Sequence, residues 1–161
     1  MVTWRTVQPS DEPARELVEQ YFAARALGFV AGPGAYRRSV PGDAEFTPPE
    51  GVFVLVEGEN LAGEPADVGC GGVRRIADGP HGSRFEVKHL WVQPHTRRLG
   101  YGRALMEELS RRARELGASE LVLDTNESLD AASALYRSLG FTPIAPYNEN
   151  PNATTWLGRV L

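Results

Sequence analysis

The stretch Leu90-Trp91-Val92-Gln93-Pro94-His95-Thr96-Arg97-Arg98-Leu99-Gly100-Tyr101-Gly102-Arg103 carries a strand into a helix through a glycine-containing turn. The first turn of a helix leaves N–H groups unpaired and presents the positive end of its dipole, which together attract phosphate. Gly100 and Gly102 would let a pyrophosphate reach the backbone with no Cβ in the way, and Arg97, Arg98 and Arg103 would add charge. Two nucleotide motifs are excluded. A P-loop needs Lys-Ser/Thr after its last glycine, and a dinucleotide fingerprint needs a third Gly or Ala where Leu105 stands. The same glycines also suit a turn that does no more than pack strand against helix tightly.

Working outward, Arg84–Val92 reads as a strand, and the period then becomes helical. Leu105, Leu109, Ala113 and Leu116 share one helix face, and Gly117 closes it. Leu121–Thr125 is a short buried strand, so strand, helix and strand form a crossover unit and the two strands should run parallel. Leu129–Leu139 follows as a second helix, Phe141–Ile144 as a strand start and Trp156–Leu161 as a last strand. Upstream, Gly51–Glu57, Asp67–Ile76 and Arg84–Val92 are joined by short turn-rich segments, which predicts antiparallel hairpins. Val2–Val7 alternates like a half-buried strand, and Ser10 is placed to cap a helix that buries Leu17, Val18, Tyr21 and Phe22 and stops at Gly28. Residues 31–50 hold seven Gly and Pro residues and read as a binding loop or lid, with a helical turn around Ala35–Arg38. The expected architecture is one α/β domain over residues 1–161. Its twisted sheet is mixed and mostly antiparallel, with a central parallel pair, and helices flank it.

The chain has 161 residues, room for one domain at roughly 150 residues each. Its 42% hydrophobic and 24% charged composition is that of a globular protein with a real core. The longest uncharged apolar run, Val52–Val56, is far short of the roughly 18 residues a membrane span needs. The N-terminus shows no secretory signal, and Cys70 alone rules out an internal disulfide, so the cytoplasm is the expected compartment. Seventeen basic against 21 acidic residues argues against a nucleic-acid partner. His81, His89 and His95 have no metal-binding spacing, and no serine sits in a G-x-S-x-G elbow. Cys70, among Gly69, Gly71 and Gly72, reads as a small core residue, and the Arg111, Arg112, Arg114 group with Glu107, Glu108 and Glu115 as a solvated helix face.

A second motif lies downstream: Leu135-Tyr136-Arg137-Ser138-Leu139-Gly140-Phe141, a helix end, a glycine stop and an aromatic strand start. Taken alone, Tyr136 reads equally well as a core aromatic. Together with Arg97-x-x-Gly100-x-Gly102 after Leu90-x-Val92-x-Pro94, it resembles the GNAT superfamily of N-acetyltransferases, most strongly over residues 84–142. The tail Tyr147-Asn148-Glu149-Asn150-Pro151, with Trp156, resembles one branch of that family.

The resemblance implies acetyl-coenzyme A (acetyl-CoA) in a gap where the parallel strands splay, and no metal. By analogy, the backbone of Leu90, Trp91 and Val92 would hold the pantetheine arm. The amides of Arg97, Arg98, Leu99, Gly100, Tyr101, Gly102 and Arg103 would wrap the pyrophosphate. Asn126 is a further candidate on the pantetheine side. Tyr136 matches the family tyrosine that protonates the leaving thiolate, and Glu86 stands where several members carry a general base. Glu86 also reads as a solvent-facing carboxylate paired with Lys88 or Arg84, and His89 is a competing base. Two departures stand out: Arg98 replaces a common glycine, and Leu129 a common asparagine. Tyr147, Asn148 and Asn150, opposite the 31–50 loop, are expected to wall the acceptor site. The implied function is acetyl transfer to a primary amine of a small molecule by direct attack in a ternary complex. The alternatives are a peptide or protein amine as acceptor, and a non-catalytic coenzyme A sensor.

Overall fold

The structure is a computed structural model that describes residues 2–29 and 32–161; Val30 and Ala31, at the start of the expected binding loop, lie outside the described residues. The elements are β1 (Thr3–Val7), α1 (Glu12–Leu27), β2 (Gly51–Glu59), β3 (Pro65–Gly79), β4 (Gly82–Val92), α2 (Tyr101–Glu115), β5 (Glu120–Thr125), α3 (Asp130–Ser138), β6 (Thr142–Pro143) and β7 (Thr155–Val160). Short 3₁₀ turns occupy Pro33–Ala35, Asp43–Phe46 and Pro94–Thr96. The seven strands form one sheet in the order β1-β2-β3-β4-β5-β7-β6. As the crossover argument required, β4 and β5 run parallel, and every other described pair is antiparallel.

Strict alternation along β2 divides the core between the two faces of the sheet. Val52, Val54 and Val56 point to the side covered by α2 and α3, while Phe53 and Leu55 point to the side covered by α1. On the first side Leu105, Met106, Leu109 and Ala113 of α2 are fully buried against the sheet, the i, i+4, i+8 face expected of that helix. Truncating Leu105 or Leu109 to Ala would cost about 2–5 kcal/mol. On the other side, Ala14, Leu17, Val18 and Phe22 of α1 pack with Phe46 over β2 and β3. Gly72 permits this closeness, since a Cβ there would stand 2.6 Å from the Phe46 ring.

Three expectations change. Ser10 does not cap α1: Asp11 holds the N-cap position, and the Ser10 hydroxyl donates to Asp43 Oδ2 at 2.5 Å, tying the helix start to the long loop. The helical turn expected around Ala35–Arg38 lies earlier, at Pro33–Ala35, and a second turn at Asp43–Phe46 inserts Phe46 into the core. The strand expected over Phe141–Ile144 shrinks to Thr142–Pro143, because the Phe141 N–H closes the end of α3 on Tyr136 O at 3.1 Å, while Ile144 N–H keeps one bond to Trp156 O at 2.9 Å.

Candidate active site

The site follows from how β4 leaves its neighbours. The parallel ladder to β5 contains only Arg84↔Glu120, Phe85↔Leu121 and Glu86↔Val122. Two residues later β4 bulges: Lys88 pairs with Gly72 and Trp91 with Cys70, so His89 and Leu90 share the space opposite Gly71. His89 takes φ 56° to make the bulge. Beyond Glu86, then, β4 has no ladder partner on its β5 side, and the two strands splay. A cavity of about 40 Å³ sits in the split, bordered by Val87, His89 and Leu90 of β4, Leu123 and Asp124 of β5, and Tyr136 of α3.

Leu90, Trp91 and Val92 form the free edge of the split, as the resemblance implied. The Trp91 indole itself turns to the α1 side, where its Nε1 donates to Gln20 Oε1 at 3.3 Å. The Arg97 guanidinium lies over its ring, 5.1 Å from the centroid.

At the start of α2, the N–H groups of Arg98, Gly100, Tyr101, Gly102 and Arg103 have no acceptor among the described residues. Those of Arg97 and Leu99 are already committed, to Pro94 O at 3.2 Å and Thr96 O at 3.4 Å, which removes two of the seven amides expected to wrap a pyrophosphate. Gly100 sits at φ 82° with open space where a Cβ would project. Arg98 adopts φ 67° without being glycine, at a cost of about 1–2 kcal/mol. Gly102 differs: its missing Cβ would face Leu135 Cδ2 at 3.4 Å, so this glycine serves helix–helix approach more than ligand approach. Arg103 donates to Ser138 Oγ at 2.6 Å and clamps α2 to α3, leaving Arg98 as the arginine with no side-chain partner among the described residues. Unpaired amides, a helix N-terminus and a free guanidinium fit a pyrophosphate.

Tyr136 is buried, with its ring edge-on to Phe141 at 6.2 Å, and it borders the cavity of the split. Burial, reinforced by the Asp124 charge and opposed by Arg25, pushes its phenol up to about 12, so the hydroxyl holds its proton at neutral pH.

Glu86 is 1% exposed, neither solvent-facing nor paired with Lys88 or Arg84. Its Oε1 accepts from Arg74 Nε at 3.0 Å, and Arg74 Nη2 lies equally close. Its Oε2 accepts from the Tyr147 hydroxyl at 2.7 Å and more distantly from Asn148 Nδ2 at 3.5 Å. Arg74 also pairs with Glu45, and the Arg84 guanidinium caps the Tyr147 ring at 5.3 Å. Burial, with the Glu86 charge, drives the Tyr147 phenol upward. Asn148 Nδ2 donates to Asp124 Oδ2 at 2.7 Å, Asn150 Nδ2 donates to Asp124 Oδ1 at 3.2 Å, and Trp156 Nε1 donates to Asn148 Oδ1 at 2.9 Å. Tyr147, Asn148 and Asn150 thus bind the β6–β7 loop to the carboxylates of β4 and β5.

Asn126, a pantetheine candidate, spends its amide on that loop instead: Nδ2 donates to Asn152 O at 3.1 Å, and Oδ1 accepts the Ser128 N–H at 3.0 Å. His89 is buried among the rings of Tyr21, Phe22 and Phe46, and its Nδ1 has no partner. Burial first, then the charges of Lys88 and Arg74, lower it to about 3, so the imidazole is neutral. Cys70 is a core residue, its Sγ donating to His89 O at 3.4 Å.

Arg74 and Asp124 were not among the expected site residues. A hairpin folded about Pro80–His81 would set Arg74 opposite Val87; a register shift between Ile76 and Gly79 moves it to Glu86, which the sequence does not announce, whereas alternation in Leu121–Thr125 does turn Asp124 away from the Leu121/Leu123 face. Among the described residues no group of His, Cys, Asp and Glu is arranged to hold a metal, and no helix is long and apolar enough to cross a membrane.

Comparison with known proteins agrees with this geometry. Residues 22–141 match the model of the acetyltransferase (GNAT) family. An uncharacterized N-acetyltransferase of Schizosaccharomyces pombe is 35% identical over 109 residues, 66% of this chain and 61% of the relative. An IAA acetyltransferase of Azospirillum brasilense is 39% identical over 87 residues, 52% and 55% of the two chains. The chain therefore spans less than two thirds of the length of these relatives. Among solved structures, an acetyltransferase from Streptococcus agalactiae superposes with a TM-score of 0.75 at 18% identity, covering 99% of this chain and 98% of that one. A phosphinothricin acetyltransferase from Sinorhizobium meliloti, solved in complex with AcCoA, superposes with a TM-score of 0.66 at 20% identity over 99% and 88%. With the splayed parallel pair and the amide-lined turn beside it, the family match leads to one conclusion: the chain belongs to the GNAT family of acetyltransferases.

Proposed function

We propose that this protein transfers the acetyl group of acetyl-CoA to the primary amine of a small molecule. The observation that carries the reading is the β4–β5 split, which opens between the unpaired amides at the start of α2 and the buried hydroxyl of Tyr136. When bound, acetyl-CoA supplies an activated thioester. The chain's own residues do the rest. The free amides of Arg98 and Gly100 to Arg103, with the Arg98 guanidinium, bind the pyrophosphate, and the free edge at Leu90–Val92 holds the arm extended along β4. The acceptor ammonium passes one proton to solvent before attack; as the C–N bond forms and the C–S bond breaks, Tyr136 gives its Oη proton to the departing sulfur, and the proton then shed by the nitrogen restores the phenol through solvent. Glu86, bonded to Arg74 through Oε1 and to Tyr147 through Oε2, acts by fixing the loop that carries Tyr147, Asn148 and Asn150 against the acceptor side.

The test is thiol release from acetyl-CoA across a panel of amino acids, polyamines, aminoglycosides and peptides. Steady release with a small amine is the expected result. Release only with peptides would move the acceptor to a protein or peptide amine, and tight acetyl-CoA binding without release would make the protein a sensor.

A further inference from the structure

Around the cavity of the split, three charges stand without an opposite partner. Asp124 lines it from β5, Lys88 from β4 and Arg25 from α1, and none of the three is in an ion pair among the described residues. We propose that Asp124 receives the ammonium group of the acceptor, and that Arg25 and Lys88 receive a carboxylate on the same molecule, so that the acceptor is a small amino acid-like amine. This inference rests on the transferase reading above and adds the class of acceptor.

Four observations carry it. Asp124 accepts one bond from each of two neutral amides, Asn148 at 2.7 Å and Asn150 at 3.2 Å. An ionised carboxylate has about four acceptor sites, so the amides orient this one, leave sites open and do not cancel its charge. Glu86, on the same face of the sheet, does not line the cavity and already has an arginine, and Glu120, also on that face, does not line it either. A cavity of about 40 Å³ admits an ammonium or a methyl-sized group but not a whole ligand, so the remainder of the acceptor must lie outward, toward α1 and its Arg25. That guanidinium is parked against an aromatic face, 5.8 Å over the Tyr21 ring, and is free to turn to an anion. Charges left unpaired near a low-dielectric cavity are costly, and a zwitterion neutralises both signs in one binding event. The pyrophosphate does not compete for these cations, because its amides and Arg98 lie at the start of α2.

The experiment measures kcat/KM for thiol release with α-amino acids, each paired with its own α-carboxamide, alongside acetyl-CoA affinity by calorimetry. The expected result is at least about a tenfold preference for the carboxylate member of a pair, equivalent to ~1.4 kcal/mol. Arg25→Gln and Lys88→Met should each narrow that ratio toward one. Asp124→Asn should lower kcat/KM for both members by about 100-fold or more, with acetyl-CoA affinity retained. If Asp124→Asn does not fold, Lys88→Met still decides the matter, since Lys88 is partly exposed and bonds to no other side chain among the described residues. Equal use of carboxylate and carboxamide would overturn the inference, as would a ratio unmoved by either cation variant, or a polyamine or peptide outpacing every amino acid. Acetyl-CoA binding with no release to any amine would overturn the transferase reading itself, and this inference with it.

Discussion

Arg74 and Glu86 are direct partners across the β3–β4 ladder, and Arg74 Nε donates to Glu86 Oε1 at 3.0 Å while the same guanidinium pairs with Glu45. Glu86 is sealed from solvent but Arg74 is a quarter exposed, so the pair joins the core of the sheet to the Asp43–Phe46 turn. The same carboxylate holds Tyr147 through Oε2. One buried acid thereby ties both the Asp43–Phe46 turn, through Arg74, and the β6–β7 loop to β4.

Glu86→Gln keeps the volume but halves the pairing of Arg74 and weakens the acceptor for Tyr147. A loss of about 1–3 kcal/mol in urea unfolding is expected, Glu45 retaining part of the guanidinium's pairing. The acceptor KM should rise while the acidic limb of the pH–rate profile keeps its place. Movement of that limb would restore Glu86 to the role of general base.

Tyr136→Phe removes a hydroxyl with no side-chain partner and keeps the edge-on packing with Phe141. Stability and acetyl-CoA affinity should hold, while turnover falls about 10²- to 10⁴-fold, the range for a positioned acid. Single-turnover thiol release, measured beside calorimetric binding, separates the two effects. Turnover within a few-fold of wild type would leave Tyr136 as a core aromatic only.

The fold was legible because its signals are local. Val52–Val56 alternates between two cores, the Leu105/Leu109 stripe has a helix period, and a strand–helix–strand run permits only a parallel pair. The glycine turn that opens α2 was legible for the same reason. The anchoring of the β6–β7 loop was not, because it is assembled by contacts distant in sequence. Glu86 meets Tyr147 61 residues away, and Arg37 N–H reaches Asn152 Oδ1 across 115. Spacing along the chain carries no trace of such pairs. Asn126, one residue past β5, likewise has its amide engaged by a loop whose path the sequence does not reveal.

Gly100 and Gly102 should respond differently to added bulk. Gly100→Ala puts a side chain at φ 82°, a strain of about 1–2 kcal/mol, and projects it into open space beside the free amides. Acetyl-CoA affinity should fall by more than that stability loss predicts. Gly102→Val presses on Leu135 instead, so it should lower thermal stability through the α2–α3 contact. Unchanged affinity in folded Gly100→Ala would mean that the turn only packs strand against helix.

His89 should make the fold sensitive to acid. Its ordinary value of 6.5 describes the unfolded chain, whereas in the fold it lies at about 3, held down by burial and by the charges of Lys88 and Arg74. Between those two values the unfolded chain binds a proton that the folded one refuses. Stability from this group is therefore complete above pH 6.5 and is lost progressively as pH falls toward 3. The slope it contributes is at most one proton, ~1.4 kcal/mol per pH unit. His89→Asn tests this cleanly, because asparagine tolerates the positive φ of the β4 bulge and does not titrate. Urea midpoints of the two proteins should converge as pH drops from 7 toward 4, with the variant's own dependence flatter by up to that slope. Parallel curves would mean that His89 is protonated within the fold, and the unpartnered Nδ1 would then need an acceptor from the splayed strands.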